Sequence, residues 1–301
     1  MSPPRRVPPS RRTVSRPDEG VLFPLNRRET TKLVRAALDE DGAFNDVTTI
    51  ATVVSDRRSR CRLVARQAGV IAGMPLAVEA FQQLNPRVVI RVDGNDGRSV
   101  QPGSVFAVLS GSARGLLSAE RVALNFLQRL SGIASLTARF VAAVEGTGAT
   151  ILDTRKTTPG WRSLEKYAVR AGGGINHRMD LSSAILIKDN HLRALGGDLG
   201  LAVERARDLA PRGTKVEVEC DKIGQVKAAL AAGADVIMLD NMKVDEMRRC
   251  VELVAGRAIV EASGGVSLPN VRAIAKTGVD RISVGALTHS APSLDLALDF
   301  T

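Results

Sequence analysis

From Gly148 onward one rhythm repeats: a short, almost wholly apolar run ends in polar or glycine residues, and a helical pattern follows. The runs are TILDTRK, AILIKDN, KVEVECD, DVIMLDNM, AIVEASGG and DRISVGA. Strands this apolar are buried on both faces, with the helices between them as cover, so the pattern predicts a parallel sheet of β-α units, doubly wound or a barrel. The strand ends decide for a barrel. Thr154-Arg155-Lys156, Lys188-Asp189-Asn190, Glu217 and Glu219, Asp240-Asn241, Ser263-Gly264-Gly265 and Gly285 all close their strands, and the carboxyl-end rim is where β/α barrels build active sites. Six such runs fall short of the eight of a closed barrel, so an open or incomplete one is expected.

The first half reads differently. A helical pattern starts near Glu29, with Leu33, Val34 and Ala37 on one face, and breaks at Asp41-Gly42. Alternating short strands are expected within 61–73 and 88–111, separated by a helix over about Pro75 to Leu84. A long connecting helix follows over Ser118 to Val144, with Ser131-Gly132 as an interruption. Residues 1–28, rich in Pro and Arg and without apolar periodicity, are expected to form a disordered basic tail.

Composition narrows the function. The chain has 301 residues, a formal charge of +10 and only 3% aromatic residues. Such a charge raises a nucleic-acid hypothesis, but much of the excess lies in the tail and little is available for stacking on bases, so no nucleic-acid partner is expected. No apolar run approaches the roughly 20 residues that cross a bilayer, so no membrane partner is expected either. Cys61, Cys220 and Cys250 are far apart and form no C-x-x-C pair, which fits a reducing, cytoplasmic setting.

The chemistry concentrates between Asp153 and His191, which holds Arg155, Lys156, Arg162, His177, Arg178, Lys188 and His191. Guanidinium forks and ammonium groups in that density point to a polyanionic ligand. The run Gly172-Gly173-Gly174 would let backbone N–H groups approach an anion closely, and Ser263-Gly264-Gly265 with Gly285 would hold a phosphate at the last strand ends. Glu217 and Glu219 point to one side of their strand and Asp240 closes the next. They are too few for a Ca²⁺ cage but suit Mg²⁺ shared with substrate phosphates. A plainer reading pairs Glu217 or Asp240 with Lys188 or Arg155 as ion pairs. Arg121 precedes the barrel and is either an exposed helix arginine or a group brought to the site by another subunit. P-loop, dinucleotide, zincin and nucleophile-elbow motifs are missing.

In order, EDGAFNDVTT, ERVALNFLQRLSGIAS, DTRKTTPGWR, EKYAVRAGGGINHR, LIKDNH, VEVE, MLDNM, EASGGV and GVDRISVGALTHSAPSLDLAL resemble the quinolinate phosphoribosyltransferases, also called nicotinate-nucleotide pyrophosphorylases (carboxylating). The similarity runs from about Leu33 to the C-terminus, with Trp161 standing where the family often has leucine. It implies an α/β protein with an N-terminal α/β sandwich domain over 29–130, completed by about 286–301, and an open α/β barrel over 131–285. It also implies a homodimer in which Arg121 crosses to the partner's site. Arg155, Arg162, His177, Arg178 and Lys188 match positions that hold the quinolinate carboxylates. Lys156, Lys188, His191, Glu219 and Asp240 match positions around phosphoribosyl pyrophosphate and Mg²⁺, with Thr154 beside them and Ser263, Gly264, Gly265 and Gly285 near the 5′-phosphate. The resemblance leaves open whether Glu217 or Glu219 faces the metal. The implied reaction is phosphoribosyl transfer to quinolinate with loss of CO₂. The alternative is a paralogue on the same fold, using nicotinate or another acid or associated with molybdate transport.

Overall fold

The structure, a computed structural model, describes residues 21–211 and 213–301. Helix α1 (Arg27–Glu40) begins at Asn26, whose side chain accepts from Glu29 N while Glu29 returns to the Asn26 N–H, a reciprocal cap at a helix start. It buries Thr30, Val34 and Leu38, leaving Leu33 and Ala37 at the edge of that face. After a 3-10 turn (Ala43–Asn45) come α2 (Val47–Thr52), β1 (Arg58–Ala65), β2 (Gly69–Val70), α3 (Met74–Leu84), β3 (Val89–Val92), β4 (Ser99–Val100), β5 (Val105–Ser112) and α4 (Ala113–Ala143). The second half runs β6 (Thr150–Leu152), α5 (Arg162–Ala171), β7 (Ile185–Ile187), α6 (Asp189–Ala194), α7 (Leu199–Leu209), β8 (Val216–Cys220), α8 (Ile223–Ala231), β9 (Val236–Asp240), α9 (Val244–Val254), β10 (Ile259–Ser263), α10 (Leu268–Ala275), β11 (Arg281–Ser283), α11 (Ala286–His289) and β12 (Leu296–Phe300).

The first layer is an antiparallel sheet in the order β12-β1-β5-β3, joined by the small β2-β4 ribbon, with α1, α3 and α4 packed together against it. Its edge strand β12 comes from the far end of the chain, pairing Leu298 with Leu63. The second layer is six parallel strands in the order β6-β11-β10-β9-β8-β7. Its end strands β6 and β7 form no ladder with each other, and a bridge from Leu152 to Ile175 stands in the gap. The barrel is therefore open on that side.

Two expectations change here. The composition predicts disorder through residue 28; residues 1–20 lie outside the described residues, but 21–28 are ordered. Phe23 meets Tyr167 edge to face at 5.2 Å, and Arg170 donates to Leu22 O, because an aromatic and two aliphatics among the arginines suffice to dock the segment. Nor is the long helix interrupted: α4 passes through Ser131 and Gly132 without a break. A Cβ on Gly132 would stand 2.0 Å from Pro292 O, and Ser131 Oγ bonds to the Ala72 backbone. These small residues admit a neighbouring backbone to the helix. They do not end it.

Candidate active site

A cavity of about 600 Å³ opens at the carboxyl ends of the barrel strands, within the size range of small-molecule sites. Thr154, Arg155, Lys156, His177, Arg178, Lys188, Glu219, Asp240, Ser263, Gly264 and Gly265 line it, together with Leu186, Met238, Asn241 and Ser283. Four other sequence candidates lie off the lining. Arg121 is exposed on α4. Arg162, at the start of α5, donates to Thr157 Oγ1 at 3.1 Å and Met179 O at 3.3 Å, tying two loops together. His191 is exposed and its Nδ1 accepts the Lys188 N–H at 2.9 Å, a cap on α6. A Cβ on Gly285 would stand 3.2 Å from the Lys156 side chain, so this glycine leaves that lysine its room.

The loop after β6 is set from below. Glu165, fully buried on α5, accepts from the Thr158 N–H and hydroxyl and from Arg129 on α4. Thr288 at α11 donates to Lys156 O at 2.7 Å. Arg155 and Lys156 thus leave a fixed backbone, and neither has an acidic ion-pair partner among the described residues. The Arg155 Nε is also buried without a partner. A guanidinium so placed is ready for an anion.

Beside it the Asn176-His177-Arg178 turn hangs on a buried charge pair that sequence reasoning did not find. Asp153 and Lys166 are both fully buried and paired. Asp153 also accepts from His177 N at 2.9 Å and Asn176 Nδ2 at 2.6 Å, while Lys166 donates to His177 O at 3.1 Å. Burial pushes the Asp153 carboxyl up and the Lys166 ammonium down, and their mutual contact opposes both shifts. Arg178 donates to Ala184 O at 3.0 Å, and burial and the Arg155 charge loosen its proton.

His177 is held at its ring as well. Its Nδ1 accepts the Arg178 N–H at 2.8 Å, and its Nε2 lies 3.1 Å from Glu217 and 3.4 Å from Glu261. An accepting Nδ1 belongs to the neutral ring, with its one proton on Nε2. Burial opposes charging, but the two carboxylates outweigh it and pull the titration up to about 9, so below that pH the ring is charged and its Nδ1, itself protonated, gives up the Arg178 N–H. The Gly172-Gly173-Gly174 run is no anion cradle here. A Cβ on Gly172 would lie 2.3 Å from Ala134 O, and one on Gly174 would lie 2.8 Å from Thr137 and Val169, so these glycines let the turn press against α4 and α5.

On the opposite side the groups are more open. Lys188 pairs with Glu219 at the ends of β7 and β8, with side chains 42% and 15% exposed. The plainer reading of the acids is thereby corrected, since Lys188 takes Glu219, and Glu217 turns to His177. Glu219 lines the cavity and Glu217 sits deeper, behind the wall. Asp240 accepts from Asn241 Nδ2 at 2.9 Å. Asn241 has φ +53° and packs on Gly264, where a Cβ would fall 2.3 Å from its Oδ1. Hence the Ser263-Gly264-Gly265 turn tolerates no side chain at its centre. The residues missed in sequence reasoning, Asp153, Lys166 and Glu261, left one trace: a charge inside an otherwise buried element must be paired.

The arrangement offers a cationic wall for carboxylates beside a mixed rim for phosphate and a hard cation. Two family models match the chain: "Quinolinate phosphoribosyl transferase, N-terminal domain" over 46–131 and "Quinolinate phosphoribosyl transferase, C-terminal domain" over 133–299. A probable nicotinate-nucleotide pyrophosphorylase (carboxylating) of Bacillus subtilis is 43% identical over 92% of this chain and 95% of its own length. The nicotinate-nucleotide pyrophosphorylase (carboxylating) of Mycobacterium leprae is 44% identical over 88% and 95%. A solved nicotinate-nucleotide pyrophosphorylase from Francisella tularensis superposes with a TM-score of 0.88 at 38% identity, covering 93% of this chain and 98% of that one.

Proposed function

The chain belongs to the quinolinate phosphoribosyltransferase family, and from that premise we propose how its rim performs the transfer of phosphoribosyl from phosphoribosyl pyrophosphate to quinolinate, with release of pyrophosphate and CO₂. The observation that carries the reading is the junction of two unlike surfaces in one cavity. Arg155 and Arg178 meet a dicarboxylate on one side, and Lys156, Lys188, Glu219, Asp240 and the Ser263-Gly264-Gly265 turn meet a phosphorylated sugar on the other.

Glu219 and Asp240 bring two carboxylates to the lining on this side, a set that fits Mg²⁺ bound largely through water and substrate phosphates. When bound there, Mg²⁺ would neutralise charge growing on the departing pyrophosphate. The protein's own part is to hold the reactants. Carboxylates clamped by Arg155 and Arg178 aim the pyridine nitrogen at C1 of the ribose, and Lys156 and Lys188 face the negative charge that leaves. Once the nitrogen carries the ribose, the C–C bond to the adjacent carboxylate breaks, the electron pair stays on the ring carbon beside a cationic nitrogen, and a proton replaces CO₂. No side chain need form a covalent bond.

Arg121, exposed on α4 and off its own cavity, serves the site of a second copy in a homodimer. The open edge of the barrel supports that reading, since Ile175, Met179, Leu181 and Leu209 are 50%, 40%, 72% and 86% exposed around it. A cytoplasmic location fits three buried, unpaired cysteines. No helix among the described residues is long and apolar enough to cross a membrane.

The test is the release of CO₂ from quinolinate and phosphoribosyl pyrophosphate with and without Mg²⁺, run beside nicotinate. Quinolinate turnover that requires Mg²⁺, with little turnover of nicotinate, is expected. Equal turnover of nicotinate, which lacks the second carboxylate, would move the assignment to a paralogous acid.

A further inference from the structure

Helix α5 joins the site to a segment that the phosphoribosyl-transfer reading leaves without a part. Its Lys166 pairs with Asp153, while Tyr167 and Arg170, three residues apart and so neighbours on the helix surface, meet Val21–Leu25. That segment lies upstream of both family models, the first of which begins at residue 46. Tyr167 is 1% exposed, and its ring takes Phe23 edge to face. Its hydroxyl donates to Asp96 at 2.6 Å, and Asp96 also accepts the Gly73 N–H at 2.6 Å, so Phe23 docks on a surface that is itself held in place.

Arg170 carries the connection onward. Its guanidinium donates to Leu22 O at 3.1 Å through one nitrogen and to Asn176 Oδ1 at 2.6 Å through another. A guanidinium can only donate, so it takes the oxygen of the Asn176 amide and leaves Nδ2 to Asp153, at 2.6 Å, and to Lys166 O, at 2.8 Å. Asp153 in turn accepts the His177 N–H. Hydrogen bonds therefore run without a gap from Leu22 through Arg170, Asn176 and Asp153 to the turn that presents Arg178. They hold the backbone of that turn, whatever the charge on the His177 ring. A plainer role for Arg170 is a cation in the last turn of α5, where it meets the helix dipole. That role needs no particular acceptor, whereas Arg170 makes two directed bonds, one of them to the amide that supports the buried pair.

We propose that Arg170 and Asn176 are positioning residues for the acid substrate and that Val21–Leu25 is the strap that holds them. With the strap docked on Tyr167, Arg170 fixes the Asn176 amide, and the Asn176-His177-Arg178 turn stays where Arg178 meets a carboxylate. This rests on the reading that quinolinate binds at that turn. Neither Arg170 nor Asn176 lines the cavity, so both act through the turn.

The experiment reads the turn and the substrate separately, in full-length protein. Arg170→Met should raise KM for quinolinate on the order of tenfold, the coupling expected within one hydrogen-bond network, and leave KM for phosphoribosyl pyrophosphate in place. Phe23→Ala, which undocks the strap without removing a polar group, should give a smaller rise in the same direction, about threefold. In both variants amide hydrogen exchange over 176–178 should quicken, since the His177 N–H is protected by Asp153. In an Arg170→Met background Phe23→Ala should add nothing to KM. Unchanged exchange, faster exchange without a rise in KM for quinolinate, equal rises in both KM values, or a full Phe23→Ala effect in the Arg170→Met background each overturn the proposal. If Arg170→Met does not fold, Arg170→Lys takes its place under the same criteria, because a lysine keeps the charge and loses the fork that reaches both oxygens. Wild-type protein inactive on quinolinate would instead sink the assigned substrate, while the exchange data would still decide whether the strap holds the turn.

Discussion

The two sides of the cavity are built on opposite plans. On the arginine and histidine side His177 rests on buried charge twice over, its main chain on Asp153 and Lys166 and its ring on Glu217 and Glu261. Across the cavity, Lys188 and Glu219 pair partly in solvent, and among the described residues Asp240 is held by the side chain of Asn241. One side is finished by the protein, and the other awaits its ligands. A rigid planar acid can be met by a rigid surface, whereas a flexible phosphorylated sugar with a hydrated cation needs groups that can exchange partners.

The largest expected effect tests the finished side. Lys166→Met leaves Asp153 charged in a site with no solvent, and a broken buried pair typically costs about 3–5 kcal/mol. Chemical denaturation should show that loss, and the double variant Asp153→Asn with Lys166→Met should recover part of it. On the open side Lys188→Met should cost under about 1 kcal/mol, since its pair is partly solvated. Equal losses at both lysines would erase the contrast.

The next effect is catalytic. Arg178→Ala removes a preorganised cation without disturbing the buried pair, and should cost about 2–4 kcal/mol of transition-state stabilisation, roughly 30- to 900-fold in kcat/KM for quinolinate. KM for phosphoribosyl pyrophosphate should change little, because Arg178 belongs to the other wall. A matching rise in both KM values would mean that the walls are not separable.

How far each plan could be read in the sequence follows from the same difference. Strand-end residues that face open space, such as Arg155, Lys156, Lys188, Glu219 and Asp240, stand out as charges closing apolar runs, and all five line the cavity. The six parallel strands announced themselves by unbroken hydrophobicity, and the open barrel by their number. The supports were hidden. Glu261 lies in the middle of an apolar strand and Lys166 in an amphipathic helix, and their partners arrive from elements 22 and 13 residues away. Nothing local specifies such pairings. Glycines misled for a related reason, because Gly132, Gly172 and Gly174 serve close packing, which in sequence looks the same as a break or an anion loop.

The smallest effect is the most discriminating. Glu219→Gln removes one of two carboxylates from the rim and also frees Lys188, so two consequences oppose each other. Losing a negative charge weakens the hold on Mg²⁺. Releasing the ammonium strengthens attraction for pyrophosphate oxygens, but Lys188 is already 42% exposed and reaches solvent in the pair, so its gain is limited by screening. The metal effect should therefore win: half-saturation by Mg²⁺ should rise on the order of tenfold, one charge contact of about 1.4 kcal/mol. Stability should shift by less than about 1 kcal/mol, as for other solvent-exposed pairs. A tighter Mg²⁺ response would mean that Lys188 governs this rim and that Glu219 restrains it. A large loss of stability would show that the open side is as structurally committed as the buried one.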